Sequence, residues 1–282
     1  MIYKTDTHSS PNEIRVLSEI KHPNIIEYLA HFEDSRSYYL VMEKFGTPWR
    51  THHSANELVV IPSDLGEETK YSLLSVTNGS SASLFDYIDE FGSVPSHLLL
   101  DIFQQLAQAI GYLHRQGIVH GDIKEENILI GYHHHQYFAK LCDFGHSRKT
   151  KRNHQDLKFY GTRDVSAPEL FPNLRAAEED LDSSDCFYGY EEDVWAFGLV
   201  LYTMIHGSLP ENNDQIVDGI DSLSGHVFYP TYFSDHVEKG NYKNLIVIGC
   251  VDLLKRMLTI DPGKRINMEG VLKHPWVCRK RR

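Results

Sequence analysis

The chain has 282 residues, 41% of them apolar, and its 28 Lys and Arg against 39 Asp and Glu give a formal net charge of −11. A negative surface field repels nucleic acid and attracts cationic peptides, so the charge disfavours a nucleic-acid partner. No apolar stretch approaches the roughly 20 residues of a membrane helix, and no secretory leader is recognisable, so we expect a soluble cytoplasmic protein without a membrane partner.

The length allows two modest hydrophobic cores, and the first of them is predicted within residues 1–45. Apolar alternation indicates strands here, and one short helical pattern lies between them. The predicted strands are residues 1–4, 28–34 and 38–43, and the predicted helix is residues 12–20. This order is typical of a small, mostly β unit.

Residues 46–83 interrupt this pattern. They are rich in Ser, Thr, Asn and Gly and show little periodicity. A segment of this composition does not bury enough apolar surface to offset the entropy of ordering it. We therefore predict an inserted, disordered loop that contributes no chemistry.

A second, helical unit is predicted for residues 84–282. Within it, residues 96–116 place their apolar side chains on one stripe, as in an amphipathic core helix. The stripe comprises Leu99, Ile102, Phe103, Leu106, Ile110 and Leu113. Residues 192–206 are apolar around almost the whole circumference, which predicts a fully buried helix that ends at Gly207.

Three short motifs follow one another in this second unit. Residues 120–127 read His-Gly-Asp-Ile-Lys-Glu-Glu-Asn, residues 143–145 read Asp-Phe-Gly, and residues 167–169 read Ala-Pro-Glu. One such motif alone could arise by chance. Their joint occurrence in this order argues against coincidence and indicates phosphoryl transfer.

The residue types in the first two motifs suit a magnesium nucleotide. Asp122 is predicted to orient a hydroxyl or take its proton, and Lys124 to lie beside the moving phosphate. The side-chain oxygens of Asn127 and Asp143 are predicted to bind the metal, because Mg²⁺ prefers oxygen ligands. Turn formation is the alternative role for a single Asp or Asn in a loop, and the joint spacing disfavours it.

With these motifs the chain resembles the eukaryotic protein kinases over nearly its whole length. The match fails only at residues 47–82, 174–188 and about 211–240. The resemblance implies an α+β, two-lobed fold: a small, mostly β N-lobe lacking its first two strands at residues 1–45, and a larger helical C-lobe at residues 84–282. It also implies ATP and Mg²⁺ as cofactors and a protein substrate.

Two features resemble the serine/threonine class of these kinases. They are Lys124, two residues after Asp122, and the dipeptide Gly-Thr at residues 161–162. The sequence of residues 120–127 is similar to the catalytic-loop sequence of some fungal PAS-domain kinases of the calmodulin-kinase-like group. The resemblance therefore implies transfer to Ser or Thr hydroxyls.

Gly121 departs from the family pattern, since most of these kinases have Arg at this position. That Arg normally binds a phosphate on the activation segment, where charge pairing orders the chain. We therefore expect that phosphorylation of this segment does not activate the protein in the usual way. Thr150, among basic residues, is a candidate phosphorylation site, and an incidental Thr in an exposed basic loop is the alternative.

The amino terminus is a second departure. The two strands and the glycine-rich loop that kinases place before their third strand have no counterpart, which fits either a gene model that starts late or ATP binding without the usual lid. Residues 1–4 resemble the end of that third strand, which implies that Lys4 binds phosphate. Residues 12–26 resemble the C-helix and make Glu13 its ion-pair partner. A surface Lys near a frayed terminus is the alternative.

The adenine site is also assigned by resemblance. Residues 38–43 are similar to the fifth strand of a kinase, which continues into the hinge. This makes Met42 the gatekeeper, and it assigns adenine binding to the backbone from Glu43 to Phe45. Leu129 is expected on the opposite side of the adenine.

Other residues are assigned structural roles by the same resemblance. His120 is expected to pack in the core against Phe144 rather than act as a base. Asp193 is expected to steady the backbone of the catalytic loop. Arg265 is expected to pair with Glu169 beneath the substrate shelf.

The resulting prediction is a protein serine/threonine kinase that transfers the terminal phosphate of Mg-ATP. Glu126 and the negative net charge predict a mild preference for basic substrate peptides. A pseudokinase or scaffold with little or no transfer is the alternative, because the glycine-rich loop is lacking. The basic residues 279–282 raise a nuclear location as a second option.

Overall fold

The computed structural model describes residues 2–5, 12–34, 37–48, 80–133, 136–150, 165–170, 189–209 and 245–279. The helices are α1 (Asn12–Leu17), α2 (Leu84–Phe91), α3 (Ser96–Arg115), α4 (Tyr190–His206), α5 (Leu245–Met257) and α6 (Met268–Lys273). The strands are β1 (Ile2–Thr5), β2 (Tyr28–Glu33), β3 (Tyr38–Met42), β4 (Thr47–Pro48), β5 (Ser80–Ser83), β6 (Ile118–Val119), β7 (Ile128–His133), β8 (Gln136–Leu141) and β9 (Arg148–Lys149). Two short 3₁₀ helices span Glu125–Asn127 and Pro168–Leu170.

The first unit contains an antiparallel sheet of order β1-β3-β2. Its strands lie within one or two residues of the predicted ones. The central strand β3 buries Leu40 and Met42, and α1 buries Ile14, Val16 and Leu17. The helix ends three residues earlier than predicted, because Ser18 and Glu19 form a hydrogen-bonded turn and do not continue the α-helix.

A short backbone ladder joins this unit to the helical one. The amide of Ile26 donates to the Leu141 carbonyl, and the amide of Leu141 donates to the Asn24 carbonyl, each at 2.9 Å. The buried Asn24 side chain adds a bond from Nδ2 to the Ala139 carbonyl at 2.9 Å. Strand β8 therefore fixes the segment between α1 and β2, and its end leads directly into residues 143–145.

The helical unit is built around α3 and α4. All six residues of the predicted stripe on α3 are buried, and on α4 every residue from Glu192 to Met204 is buried, as predicted. Phe103 of α3 stacks on Phe197 of α4 with a centroid separation of 4.5 Å. Gly207 ends α4 with φ at 83°, a left-handed conformation that glycine adopts without strain.

Part of the predicted loop at residues 46–83 is described. Its two ends form β4 and β5, which pair in parallel, and β5 continues into an antiparallel ladder with β7 and β8. Residues 49–79 lie outside the described part of the chain, so the disordered insert stays a prediction, as do the proposed domain limits.

A two-stranded antiparallel pair positions the candidate site. Strand β6 enters residues 120–127 and strand β9 follows residues 143–145, and the register places Ile118 opposite Lys149 and Val119 opposite Arg148. The Thr150 amide extends the pair with a bond to the Gly117 carbonyl at 2.9 Å. The two motifs are thus held side by side by backbone hydrogen bonds. No described helix is both long and apolar enough to cross a lipid bilayer.

Candidate active site

The loop of residues 120–127 is held from below by Asp193 of α4. This buried carboxylate accepts hydrogen bonds from the amides of His120 and Gly121, each at 2.9 Å, and lies 2.9 Å from His114 Nε2. Burial by itself would raise the pKa of Asp193, but the bonds from His114 and the loop amides hold it below its ordinary value. The predicted role of Asp193 in steadying the loop backbone is confirmed.

Asp122 lies at the centre of the loop and is 3% exposed. Its Oδ2 is 2.9 Å from the Lys124 ammonium and accepts a hydrogen bond from Asn127 Nδ2, also at 2.9 Å. Asn127 Nδ2 additionally donates to the Asp122 carbonyl at 2.8 Å. Asp122, Lys124 and Asn127, all predicted for the site, are therefore in direct contact. The Lys124 ammonium and the Asn127 amide together orient the Asp122 carboxylate.

His146 also lies beside Asp122, with Nδ1 at 3.5 Å from Oδ2. That separation is too long for a good hydrogen bond, so the contact is an attraction only when the imidazole is protonated. Nothing in the sequence motifs singles out this residue. Its proximity follows from the β6–β9 pair, which brings the end of one motif next to the other.

His120 is fully buried and has the structural role that was predicted for it. Its ring meets the Phe144 ring edge-on, with a centroid separation of 4.8 Å. The Asp122 amide donates to Nδ1 at 3.3 Å, which leaves the ring proton on Nε2 to donate to the Cys142 carbonyl at 3.2 Å. Burial lowers the pKa of His120, and this neutral tautomer agrees with that direction.

The second motif begins with an unusual backbone. Asp143 has φ at 60°, a left-handed conformation that is uncommon for a residue other than glycine, and its side chain is exposed. Asp143 Oδ1 accepts from the Gly145 amide at 3.2 Å. The Cys142 amide donates to the Asn127 carbonyl at 2.9 Å. The two predicted metal ligands are therefore on adjacent, hydrogen-bonded segments.

Glu13 of α1 reaches the same motif. Its Oε1 accepts from the Phe144 amide at 3.2 Å. Burial raises the pKa of Glu13, the Phe144 bond opposes that shift, and the nearby Asp143 charge adds to it. This places the carboxylate beside the second motif, where its predicted cationic partner would favour the ionised form.

The backbone of Lys4 lies opposite Tyr39 in the β1–β3 ladder, and Tyr3 lies opposite the buried Leu40. The side chain of Lys4 falls outside the described part of the structure. Its assignment as the phosphate lysine therefore stays a prediction.

Strand β3 ends at Met42 and is followed by residues 43–45, whose assignment as the adenine-binding hinge stays a prediction. Met42 is 8% exposed. The Glu43 amide donates to the Glu27 carbonyl at 2.9 Å, while Glu43 Oε1 accepts from the Glu27 amide at 2.8 Å and contacts the Lys140 ammonium. No sequence motif singled out Lys140, whose ammonium forms an ion pair with the Glu43 carboxylate.

Two further residues complete the predicted adenine site. The Phe45 carbonyl accepts from Ser81 Oγ at 2.5 Å, so β5 supports the end of the hinge. Leu129 lies on β7 and is half-buried, packed against the core. Their assignment as adenine contacts stays a prediction.

The donor set suits Mg²⁺ better than a softer metal. The predicted ligands Asn127 and Asp143 offer amide and carboxylate oxygens, and the nitrogen of the Asn127 amide already donates to Asp122, which leaves Oδ1 for a cation. Among the described residues no group of three or more His, Cys, Asp or Glu is arranged to hold a metal. The assignment of these two oxygens to Mg²⁺ stays a prediction.

Burial raises the pKa of the neighbouring Cys142 thiol to about 12, with the Asp143 and Glu13 charges contributing to the shift. The thiol is therefore neutral at physiological pH, which suits a packing role rather than a reactive one.

The third motif is fixed by an ion pair. Arg265 contacts both oxygens of Glu169, at 2.7 and 2.8 Å, and its guanidinium lies 5.1 Å from the Trp195 ring centroid. Arg265 also donates to the carbonyls of Glu191, Ile260 and Thr259. The predicted pair between Arg265 and Glu169 is confirmed.

Comparison with known proteins agrees with this geometry. Residues 50–277 match the protein kinase domain family. The protein kinase kin1 of Schizosaccharomyces pombe is 34% identical over 198 residues, which cover 70% of this chain and 19% of that protein. The carbon catabolite-derepressing protein kinase of Secale cereale is 31% identical over 221 residues, which cover 78% of this chain and 37% of that protein.

The PAS domain-containing serine/threonine-protein kinase of Mus musculus is 29% identical over 265 residues, which cover 94% of this chain and 14% of that protein. The chain thus corresponds to only a fraction of the length of each of these three relatives. The predicted family and its two-lobed α+β fold are confirmed by the family match over most of the chain. The chain belongs to the protein kinase domain family and has serine/threonine protein kinases among its relatives.

Proposed function

We propose that the chain is an active serine/threonine protein kinase, which transfers the terminal phosphate of Mg-ATP to a Ser or Thr hydroxyl. The observation that supports this most is the set of contacts made by the Asp122 side chain. Its carboxylate is buried, oriented by Lys124 and Asn127, and fixed to a loop whose backbone is bound by Asp193. A chain that no longer performed transfer would have no need to keep this set of contacts.

In the proposed reaction the protein contributes position and charge. Asp122 accepts a hydrogen bond from the substrate hydroxyl and aligns its oxygen with the terminal phosphate. Lys124, already beside Asp122, neutralises charge on the phosphoryl oxygens. Asn127 and Asp143 would hold Mg²⁺, which supplies further charge neutralisation when bound. Turnover on the order of 1 to 100 per second is expected for a complete site of this kind.

We also propose a mild preference for basic substrate peptides. The formal net charge of −11 favours encounter with cationic segments. Glu126 follows the catalytic residues and is exposed, so its carboxylate is available to an arginine of the substrate. This preference is expected to weaken as ionic strength rises, because exposed charges are screened.

The proposal is tested by transfer of labelled phosphate from Mg-ATP to a pool of basic Ser and Thr peptides. Asp122→Asn removes the carboxylate, and Asp261→Asn is the matched control, because Asp261 is exposed and distant in sequence from the motifs. Transfer by the wild type and the control, and none by Asp122→Asn, is the expected result. A folded wild-type protein that transfers no phosphate would support the pseudokinase or scaffold alternative instead.

A further inference from the structure

A buried ion pair joins β9 to helix α4 beside the catalytic loop. Arg148 Nη2 lies 2.5 Å from Glu192 Oε1, and the two side chains are 20% and 9% exposed. Arg148 belongs to the strand that follows residues 143–145, and Glu192 lies in the first turn of the helix that also contains Asp193. The pair therefore ties the segment after the second motif to the element that anchors the first.

Gly121 makes room for this pair. A Cβ at this position would lie 2.9 Å from Arg148 Nη1 and 2.8 Å from the His146 carbonyl oxygen, closer than carbon atoms normally come. Its φ of 79° is also a conformation that residues with a side chain rarely adopt. The guanidinium of Arg148 thus packs against the catalytic loop where a larger residue would otherwise project.

Adjacent residues of α4 hold the two segments. Asp193 binds the amides of His120 and Gly121, and Glu192 binds Arg148. Any shift of β9 relative to the catalytic loop would have to break one of these sets of contacts.

A second contact lies close by on the same two elements. The Thr150 hydroxyl is 2.7 Å from the hydroxyl of Tyr190, the first residue of α4. This bond also means that the candidate phosphorylation site is already engaged within the fold.

We propose that Arg148 and Glu192 form an internal clamp that positions Asp122 for transfer without a phosphate on the chain segment after β9. The inference rests on the proposed kinase function. Because the side chain of Glu192 belongs to the fold, the oxygen that accepts from Arg148 is present in every copy of the protein and does not have to be added by phosphorylation. Arg148 and Glu192 are positioning residues, since they act through the loop backbone and not on the substrate.

The clamp is tested on the full chain after phosphatase treatment, with the absence of phosphate verified by mass spectrometry. The variants are Arg148→Met, Glu192→Leu and the double variant, with Glu192→Gln as the conservative control because its amide oxygen still accepts from Arg148. The apolar double variant leaves no buried charge unpaired and is therefore expected to fold. Steady-state kcat and the KM for ATP are measured together with thermal unfolding.

Phosphate-free wild type is expected to work at the same rate as untreated protein within about twofold. The double variant is expected to remain folded but to lose about 10- to 100-fold in kcat, with little change in KM, because a small displacement of a catalytic group costs this much. Glu192→Gln is expected to keep most of the rate. Loss of wild-type activity on phosphatase treatment, or a folded double variant with unchanged kcat, would overturn the clamp.

Hydrogen exchange separates this result from a failure of the proposed function. If the wild type transfers no phosphate, the kinase proposal fails, and the clamp is judged by the amides of Gly121 and Thr150. Their exchange is expected to be at least about tenfold faster in the double variant, while the amides of α3 stay unchanged. Equal protection in both proteins would overturn the clamp independently of activity.

Discussion

Asn127 donates its side-chain amide to Asp122 Oδ2 at 2.9 Å, so a predicted metal ligand also orients the predicted catalytic carboxylate. The nitrogen binds Asp122, and the oxygen of the same amide is the atom suited to Mg²⁺. One residue therefore links the orientation of the substrate hydroxyl to the binding of the metal.

This double role predicts different results for two substitutions. Asn127→Ala removes both interactions and is expected to raise the Mg²⁺ concentration for half-maximal transfer by about 10- to 100-fold, as well as to lower kcat. Asn127→Asp keeps an oxygen ligand and removes only the donor to Asp122. Its Mg²⁺ requirement is expected to change less than its kcat. Equal Mg²⁺ dependence in Asn127→Ala and wild type would contradict the assignment of Asn127 to the metal.

Two glycines with nearly the same φ test the packing at the catalytic loop. Gly121 and Gly92 have φ of 79° and 80°, but only Gly121 has atoms where a Cβ would lie. Gly92→Ala therefore measures backbone strain alone, of about 1 to 2 kcal/mol. Gly121→Ala is expected to lower the free energy of unfolding by about 1 kcal/mol more than Gly92→Ala does, because the added methyl group crowds the His146 carbonyl and Arg148. Equal costs in urea denaturation would contradict the close approach.

The shelf pair predicts a large effect on stability. Arg265→Met leaves Glu169 without its guanidinium partner and is expected to lower the free energy of unfolding by about 3 to 5 kcal/mol. Arg256→Met is the matched control, because Arg256 forms an exposed pair with Asp252 that is expected to contribute less than about 1 kcal/mol. Urea denaturation of both variants compares them. Similar costs would show that the Arg265 pair stabilises no more than a surface pair.

Glu192 predicts a pH dependence of stability. Burial raises its pKa to about 7 from an ordinary value of 4.5, with Asp193 and Glu169 adding to the shift and Arg148 opposing it. The Glu192 carboxyl therefore loses its proton at a higher pH in the folded protein than in the unfolded chain. The resulting loss of folding stability is absent below pH 4.5, where both states are protonated, and is complete above about pH 7. Relative to Glu192→Gln, the wild type is expected to lose stability on the order of 3 kcal/mol across this range.

Denaturation of both proteins at pH 5 and pH 8 measures this difference, since groups common to the two proteins cancel. A difference that stays constant, or that changes in favour of the wild type as pH rises, would contradict the raised pKa.

The predicted contact between Lys4 and the nucleotide phosphates is tested by Lys4→Met. If Lys4 contacts the phosphates beside Glu13, the substitution is expected to lower kcat/KM for ATP by about 100-fold or more, as loss of one charge-stabilising donor does in other enzymes. Lys273→Met is the matched control, because Lys273 is exposed on α6. An unchanged rate would assign the phosphate contact to another residue.

Local patterns were enough to predict the elements around the site. The stripe on α3 is buried because its spacing matches the helical repeat, and α4 is buried because apolar residues cover almost its whole circumference. Asp122, Lys124 and Asn127 are within a span of six residues, so their mutual contact follows from one short loop. The pair between Arg265 and Glu169 is distant in sequence and could be expected only from the family resemblance.

The contacts that sequence reasoning missed join residues from distant elements. Glu192 has the ordinary pattern of an acidic residue in the first turn of a helix, where carboxylates are normally solvated. Here the side chain is buried and pairs with Arg148 of β9, an element distant in the sequence. Likewise, His114 lies in the last turn of α3, where a basic residue is unremarkable, yet it contacts Asp193. The unexpected Gly121 was the one available signal, and it becomes understandable only when its neighbours are known.

In the proposed reaction, Asp122 orients the substrate hydroxyl for phosphoryl transfer in a site that binds ATP. The most direct measurement is single-turnover transfer from Mg-ATP to a basic Ser or Thr peptide, with ATP binding determined on the same samples of wild type and Asp122→Asn. We predict that both proteins bind ATP within about threefold of each other and that the substitution lowers the transfer rate by about 100-fold or more. Equal transfer rates in the two proteins would contradict the assignment of Asp122, and transfer by neither would contradict the kinase activity itself.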